Sequence, residues 1–143
     1  MSDKKPLVVP KSPCSTCPYR RDAEPGIWDE TEYEKLRQYD DRQRILPVFL
    51  CHQPAQERQA VCRGWLSVHV DCMTVRIARL SGKLSEDDMA AIPYEPEPGL
   101  FSSGAEAAEA GLAGIEQPTP EAKRQIAKIV TARKRRRARK RRR

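Results

Sequence analysis

The stretch Pro13-Cys14-Ser15-Thr16-Cys17-Pro18-Tyr19-Arg20 decides how this chain is read. Its two thiols are separated by two residues and bracketed by prolines, whose rings fix φ and remove amide donors, so no helix runs through the pair. The sulfurs are left to converge at the tip of a turn. Such a knuckle is half of a metal site, and the remaining candidate ligands, Cys51, His52, Cys62, His69 and Cys72, all fall before residue 73.

A structural zinc site takes four thiolate or imidazole ligands in a closed tetrahedron, often one local pair plus scattered residues. Cys14 and Cys17 supply the pair, Cys51 follows after 33 intervening residues, and Cys62 after a further ten. These four thiolates are the first choice for zinc, with His52, His69 or Cys72 as substitutes. An iron–sulfur cluster is also held by thiolates, but adjacent imidazoles suit borderline zinc better. The alternatives to a metal are small buried thiols and a transient redox pair.

Catalytic motifs are missing. PCSTC matches half of the zinc deaminase signature, but no histidine precedes it to supply the other half. Phosphate loops, nucleophile elbows and HExxH zinc helices are absent too. A metal-dependent nuclease using His52 or His69 is the enzymatic alternative to a binding protein.

Working outward from the knuckle, Trp28-Asp29-Glu30-Thr31-Glu32-Tyr33 signals a helix start. Asp29 and Glu32 form a capping box, with Trp28 over Tyr33 as a staple, predicting a helix from Glu30 to Tyr39. Residues 45–50, ILPVFL, predict a short strand demoted by Pro47 to an edge or extended segment. From residue 61 to 80 apolar positions recur every three or four residues, predicting one long helix with Cys62, His69 and Cys72 on one stripe. Gly82 would end it. Ser85 caps a short acidic helix, and Pro93, Pro96 and Pro98 mark the start of a linker.

The motifs CxxCPYRRD, W-x4-Y-x2-L, FLCHQ and CRGW, followed by His69, together resemble an uncharacterised family of small actinobacterial and actinophage proteins with a domain of unknown function. The resemblance spans about residues 12–72. It implies that the cysteine and histidine positions act together, in the cytoplasm of a bacterium or a phage-infected host cell, and implies no activity.

The C-terminus lies outside that match. Residues 133–143 hold ten cations, Arg133, Lys134, Arg135, Arg136, Arg137, Arg139, Lys140, Arg141, Arg142 and Arg143, so the net charge of +7 becomes −3 once these ten are set aside. A mildly acidic body carries a strongly basic arm. Such an arm seeks a polyanion, and arginine's planar fork favours bidentate phosphate contacts with DNA or RNA. An acidic protein surface is the other partner the charge fits. Thr119-Pro120 is a helix start, and Ile126, Ile129 and Val130 give a narrow apolar seam. No apolar run approaches the ~18 residues a membrane span needs, and none forms a signal-peptide core. The sequence leaves oligomeric state open.

The expected fold is therefore a small α-rich α+β module, metal-stapled, with an irregular Cys knuckle, two main helices and a short strand. Residues 1–12 are a disordered lead-in, 13–92 the Cys/His module, 93–118 a flexible Pro/Ala/Gly/Glu linker, and 119–143 a helical-to-disordered basic tail. The expected role is a non-enzymatic, zinc-stapled accessory or regulatory protein. An iron–sulfur protein responsive to redox state is the alternative.

Overall fold

The computed structural model describes residues 5–51, 59–95 and 97–142. Six helices occur among them: α1 (Glu30–Gln38), α2 (Arg63–Val68), α3 (Met73–Leu80), α4 (Glu86–Ala90), α5 (Gly104–Glu116) and α6 (Pro120–Arg141). Tyr19, Leu36, Trp65, Leu66 and Val75 are fully buried at the centre of the core they share.

α1 begins where its cap signal lies. Asp29 accepts from the Thr31 amide at 3.1 Å and also from the Thr31 hydroxyl, whereas the Glu32 amide, its expected capping-box partner, donates to the Asp29 carbonyl at 3.0 Å. One turn in, the Tyr33 hydroxyl accepts from the amides of Gly26, Ile27 and Trp28 at 3.1, 3.1 and 3.3 Å. The loop before the helix is thus wound around a phenol oxygen. Gly26 takes φ +80° there, a left-handed conformation that costs glycine little.

No sheet forms among the described residues, which corrects the α+β expectation. Residues 45–50 form no strand and make a single antiparallel bridge, Leu50 to Val61, and the other bridges, Val8 to Ala60 and Arg20 to Leu100, are equally isolated. Pro47 lacks the N–H that a ladder would need. The lead-in is also tied down from Leu7 onward. Leu7 N–H donates to the Lys83 carbonyl at 2.8 Å, and Val61 N–H donates to that of Val8 at 2.9 Å.

The single helix expected over 61–80 is two. His69 closes α2 at φ −116°, ψ 30°, and Cys72, extended at ψ 162°, is the N-cap of α3. The Arg42 carbonyl takes the Met73 amide at 2.8 Å, and Arg42 pairs with Asp71 at 2.9 Å. These contacts hold the break open. The stripe that placed Cys62, His69 and Cys72 on one face is therefore not formed.

Residues 93–118, read as a flexible linker, contain the largest correction. α5 packs lengthwise on α1, and its small residues allow it. A Cβ on Gly104 would stand 1.9 Å from the Leu36 carbonyl oxygen, and one on Gly111 2.1 Å from the Tyr33 ring. Ser103 caps the helix by accepting from the Glu106 amide at 3.1 Å, and Asp40 accepts from the Gly104 and Ala105 amides at 2.7 and 2.9 Å. Ahead of α5, the buried Arg63 pairs with Glu97 at 2.9 Å, and Phe101 N–H donates to the Tyr19 carbonyl at 2.8 Å. What reads as linker composition is a helix designed for close approach.

α6 starts at Thr119, whose hydroxyl accepts from the Ala122 amide at 3.0 Å and donates to Glu24. Ala122 is fully buried, and Ile126 and Ile129 pack against the core. The helix continues unbroken for 22 residues, about 33 Å at 1.5 Å per residue.

Candidate functional site

The knuckle forms as the prolines imply. Cys17 N–H donates to the Cys14 carbonyl at 3.0 Å, and Arg20 N–H to the Cys17 carbonyl at 3.0 Å. This aims the Cys17 side chain inward, where it is 1% exposed. Opposite it stands Cys62, N-cap of α2, with the two sulfurs 3.7 Å apart. Gly64 makes the approach possible, since a Cβ there would lie 2.5 Å from the Cys17 sulfur. The small residue in CRGW was the visible signal of this contact.

The two thiols differ electrically. A hydrogen bond from Cys62 is the main cause holding the Cys17 pKa below that of an ordinary thiol, and backbone amides at Tyr19 and Gly64 act the same way. Cys62, donating that bond and fully buried, is pushed well up. Cys14 lies near enough to influence both electrostatically. None of the five cysteines forms a disulfide.

The other expected site residues are placed differently. Cys51 and Cys62 extend from neighbouring segments, Cys51 N–H donating to the Ala60 carbonyl at 2.7 Å and Cys62 N–H to that of Phe49 at 2.8 Å. His69 is buried, its Nε2 3.2 Å from the Tyr19 hydroxyl and 3.7 Å from Asp40, among the rings of Tyr19, Tyr39 and Trp65. Burial pushes its pKa down to about 4, against the pull of Asp40, so it is neutral at pH 7. Cys72 caps α3, its pKa raised by burial, with Tyr39 as an electrostatic neighbour. His52 lies outside the described residues. Among the described residues no three Cys, His, Asp or Glu side chains gather into a group that could hold a metal ion, which corrects the metal-stapled reading of the fold.

The second feature is α6. Its first half is seated on the body and its second half is basic on every side, from Arg133 through Arg142. Within α6, Arg124 pairs with Glu121 at 2.6 Å, well before the basic run. Arg139, Lys140 and Arg141 occupy the last turn, where the helix dipole favours positive charge.

One residue joins the two features. The Trp28 indole N–H donates to the Thr16 carbonyl inside the knuckle at 2.9 Å, and its ring receives the Arg133 guanidinium at 5.7 Å. Trp28 thus sits between the CxxC turn and the first residue of the basic run. Arg20, next to the knuckle, makes a two-point pair with Asp22, both bonds 2.7 Å, and its Nη1 donates to the Cys14 carbonyl at 3.4 Å.

Comparison with known proteins gives a family but no activity. The chain belongs to DUF6283, a family of unknown function, whose match covers residues 9–135. That span takes in the knuckle, all of the body and the start of the basic run. Neither the curated proteins nor the solved structures contain a match to this chain. No helix among the described residues is long and apolar enough to cross a membrane.

Proposed function

We propose that this member of a family of unknown function is a nucleic-acid-binding accessory protein whose body anchors α6 and whose basic half of α6 contacts phosphates without reading sequence. The observation that supports the reading is the division of one continuous helix into a docked, apolar-seamed half and an exposed half carrying cations on all sides. A docked helix root gives the charges a fixed origin. The preorganised helix also spares a partner most of the cost of ordering the arm.

Phosphate contact by arginine and lysine releases condensed counterions, so affinity falls steeply with salt. About half of the cations of such a helix can face one duplex. That number of contacts gives a slope of log affinity against log salt of roughly −4 on B-DNA. Aromatic residues are absent from residues 133–143, so base stacking contributes nothing there.

The test is fluorescence anisotropy with labelled mixed-sequence duplex DNA and single-stranded RNA across a salt series. The full chain should bind both with a steep slope, and removal of residues 133–143 should abolish it. Equal affinity of the truncated chain would move the contact to the body and reject the proposal.

A further inference from the structure

We propose that Cys17 and Cys62 form a dithiol–disulfide couple, a redox modification site that joins the knuckle covalently to the start of α2. The sulfurs are already 3.7 Å apart, and a disulfide needs about 2.05 Å, so closure requires a movement of under 2 Å. Both backbones are held by bonds that side-chain closure leaves intact: Cys17 by the turn with Cys14 and Arg20, Cys62 by Phe49 and by the Leu66 amide at 3.0 Å. Gly64 leaves the space between them clear.

The pairing is not the one a CxxC motif suggests. Cys14 approaches the Thr16 hydroxyl at 3.7 Å, while Cys17 faces a residue 45 positions away. The roles are also assigned. Cys17, toward which the Tyr19 and Gly64 amides are turned, is the sulfur whose thiolate the backbone can hold, and is the attacking one. Cys62, whose sulfur stands 3.7 Å away, is the resolving thiol.

With a peroxide as oxidant, the Cys17 thiolate attacks one peroxide oxygen and the O–O bond breaks. The departing hydroxide takes up the proton Cys17 had released, giving one water and a Cys17 sulfenic acid. The Cys62 sulfur then attacks the Cys17 sulfur, the S–O bond breaks, and the leaving oxygen departs as a second water with the Cys62 proton. Two thiols lose two electrons and one peroxide is reduced to two waters. Hydrogen peroxide is small enough to reach buried sulfurs through local opening, so the reaction is expected to be slow.

The full-length reduced chain is incubated with hydrogen peroxide, denatured, alkylated, and analysed by intact mass and peptide mapping. The expected product is lighter by two hydrogens before alkylation, carries a Cys17–Cys62 link that a reductant reverses, and still forms in Cys14→Ser. In Cys62→Ser the link is lost and Cys17 is trapped by a sulfenic-acid reagent. A Cys14–Cys17 link in the wild-type chain would overturn the proposal. So would alkylation of both Cys17 and Cys62 after prolonged exposure, or stoichiometric metal in the purified chain that Cys17→Ser releases.

Discussion

Replacing Gly111 by alanine tests whether α5 is packed or merely helical. In an open helix the change is favourable by about 1 kcal/mol, since alanine loses less backbone entropy. Here the new Cβ would stand 2.1 Å from Tyr33 Cε1, 2.2 Å from Cδ1 and 2.5 Å from Cζ. The ring must retreat by more than about 1 Å to reach ordinary van der Waals contact. It cannot do so freely, because its hydroxyl holds the three amides of Gly26, Ile27 and Trp28. Losing those bonds costs about 1 kcal/mol each, and overpacking adds about 1–3 kcal/mol. Set against the propensity gain, the net loss is about 3–5 kcal/mol. For a chain of this size that lowers the melting temperature by roughly 10–15 °C. Urea and thermal unfolding followed by far-ultraviolet circular dichroism measure it. In a Tyr33→Ala background the same substitution should become neutral or favourable, isolating the ring as the cause. A single Gly111→Ala variant as stable as the wild-type chain, or more so, would refute the packing and return residues 104–116 to the status of a solvated segment.

Three further outcomes are expected. Asp40→Ala should lose about 1–2 kcal/mol in urea unfolding, because the carboxylate caps α5 through two amides, while Asp40→Asn keeps most of it; equal stability of all three chains would exclude the cap. His69, with its pKa pushed down from 6.5 to about 4, is protonated more readily in the unfolded chain. Its contribution is therefore full above about pH 6.5 and fades as pH falls toward 4, by up to about 3 kcal/mol. The stability of His69→Gln, compared across that window, should lack this limb; parallel curves would reject it. Finally, Arg133–Arg137, Arg135–Arg139, Arg136–Lys140 and Arg137–Arg141 are like-charge pairs four residues apart, costing α6 about 1–2 kcal/mol in total. Helical circular dichroism should rise as salt is added from low ionic strength, and a salt-independent signal in this range would contradict the charge argument.

Much of the local structure could be read from residue chemistry. Asp29, Ser85 and Thr119 each stand at a helix start, where an oxygen side chain accepts a first-turn amide. The prolines around Cys14 and Cys17 produced a turn with one sulfur buried. What escaped was tertiary. The seam of α5 is built from Gly and Ala, which register as weak propensity until a tyrosine and a backbone carbonyl are seen pressed against them. The break at His69 depends on Arg42, 27 positions earlier in the chain, closing on Asp71 and the Met73 amide. Periodicity cannot register either contact. In the candidate site the partnership of Cys17 with Cys62 was within the expected ligand set, while Cys72 and His69 were drawn onto it by a helix that is actually two. Asp40, which caps α5 beside the buried histidine, looked like an ordinary residue at the end of a helix.

The way α6 is rooted has an electrostatic consequence. The docked portion reaches Arg133 on Trp28, and Arg141 lies eight residues further along the helix, about 12 Å beyond at 1.5 Å per residue. The Debye length at physiological ionic strength is about 8 Å. The outer turns of α6 therefore scarcely sense the net −3 of residues 1–132. In solution the molecule is a charge dipole whose ends act separately, and an ion exchanger should be met by whichever end bears the opposite sign. The full chain should be retained by both cation and anion resins, a behaviour that a single isoelectric point would not suggest.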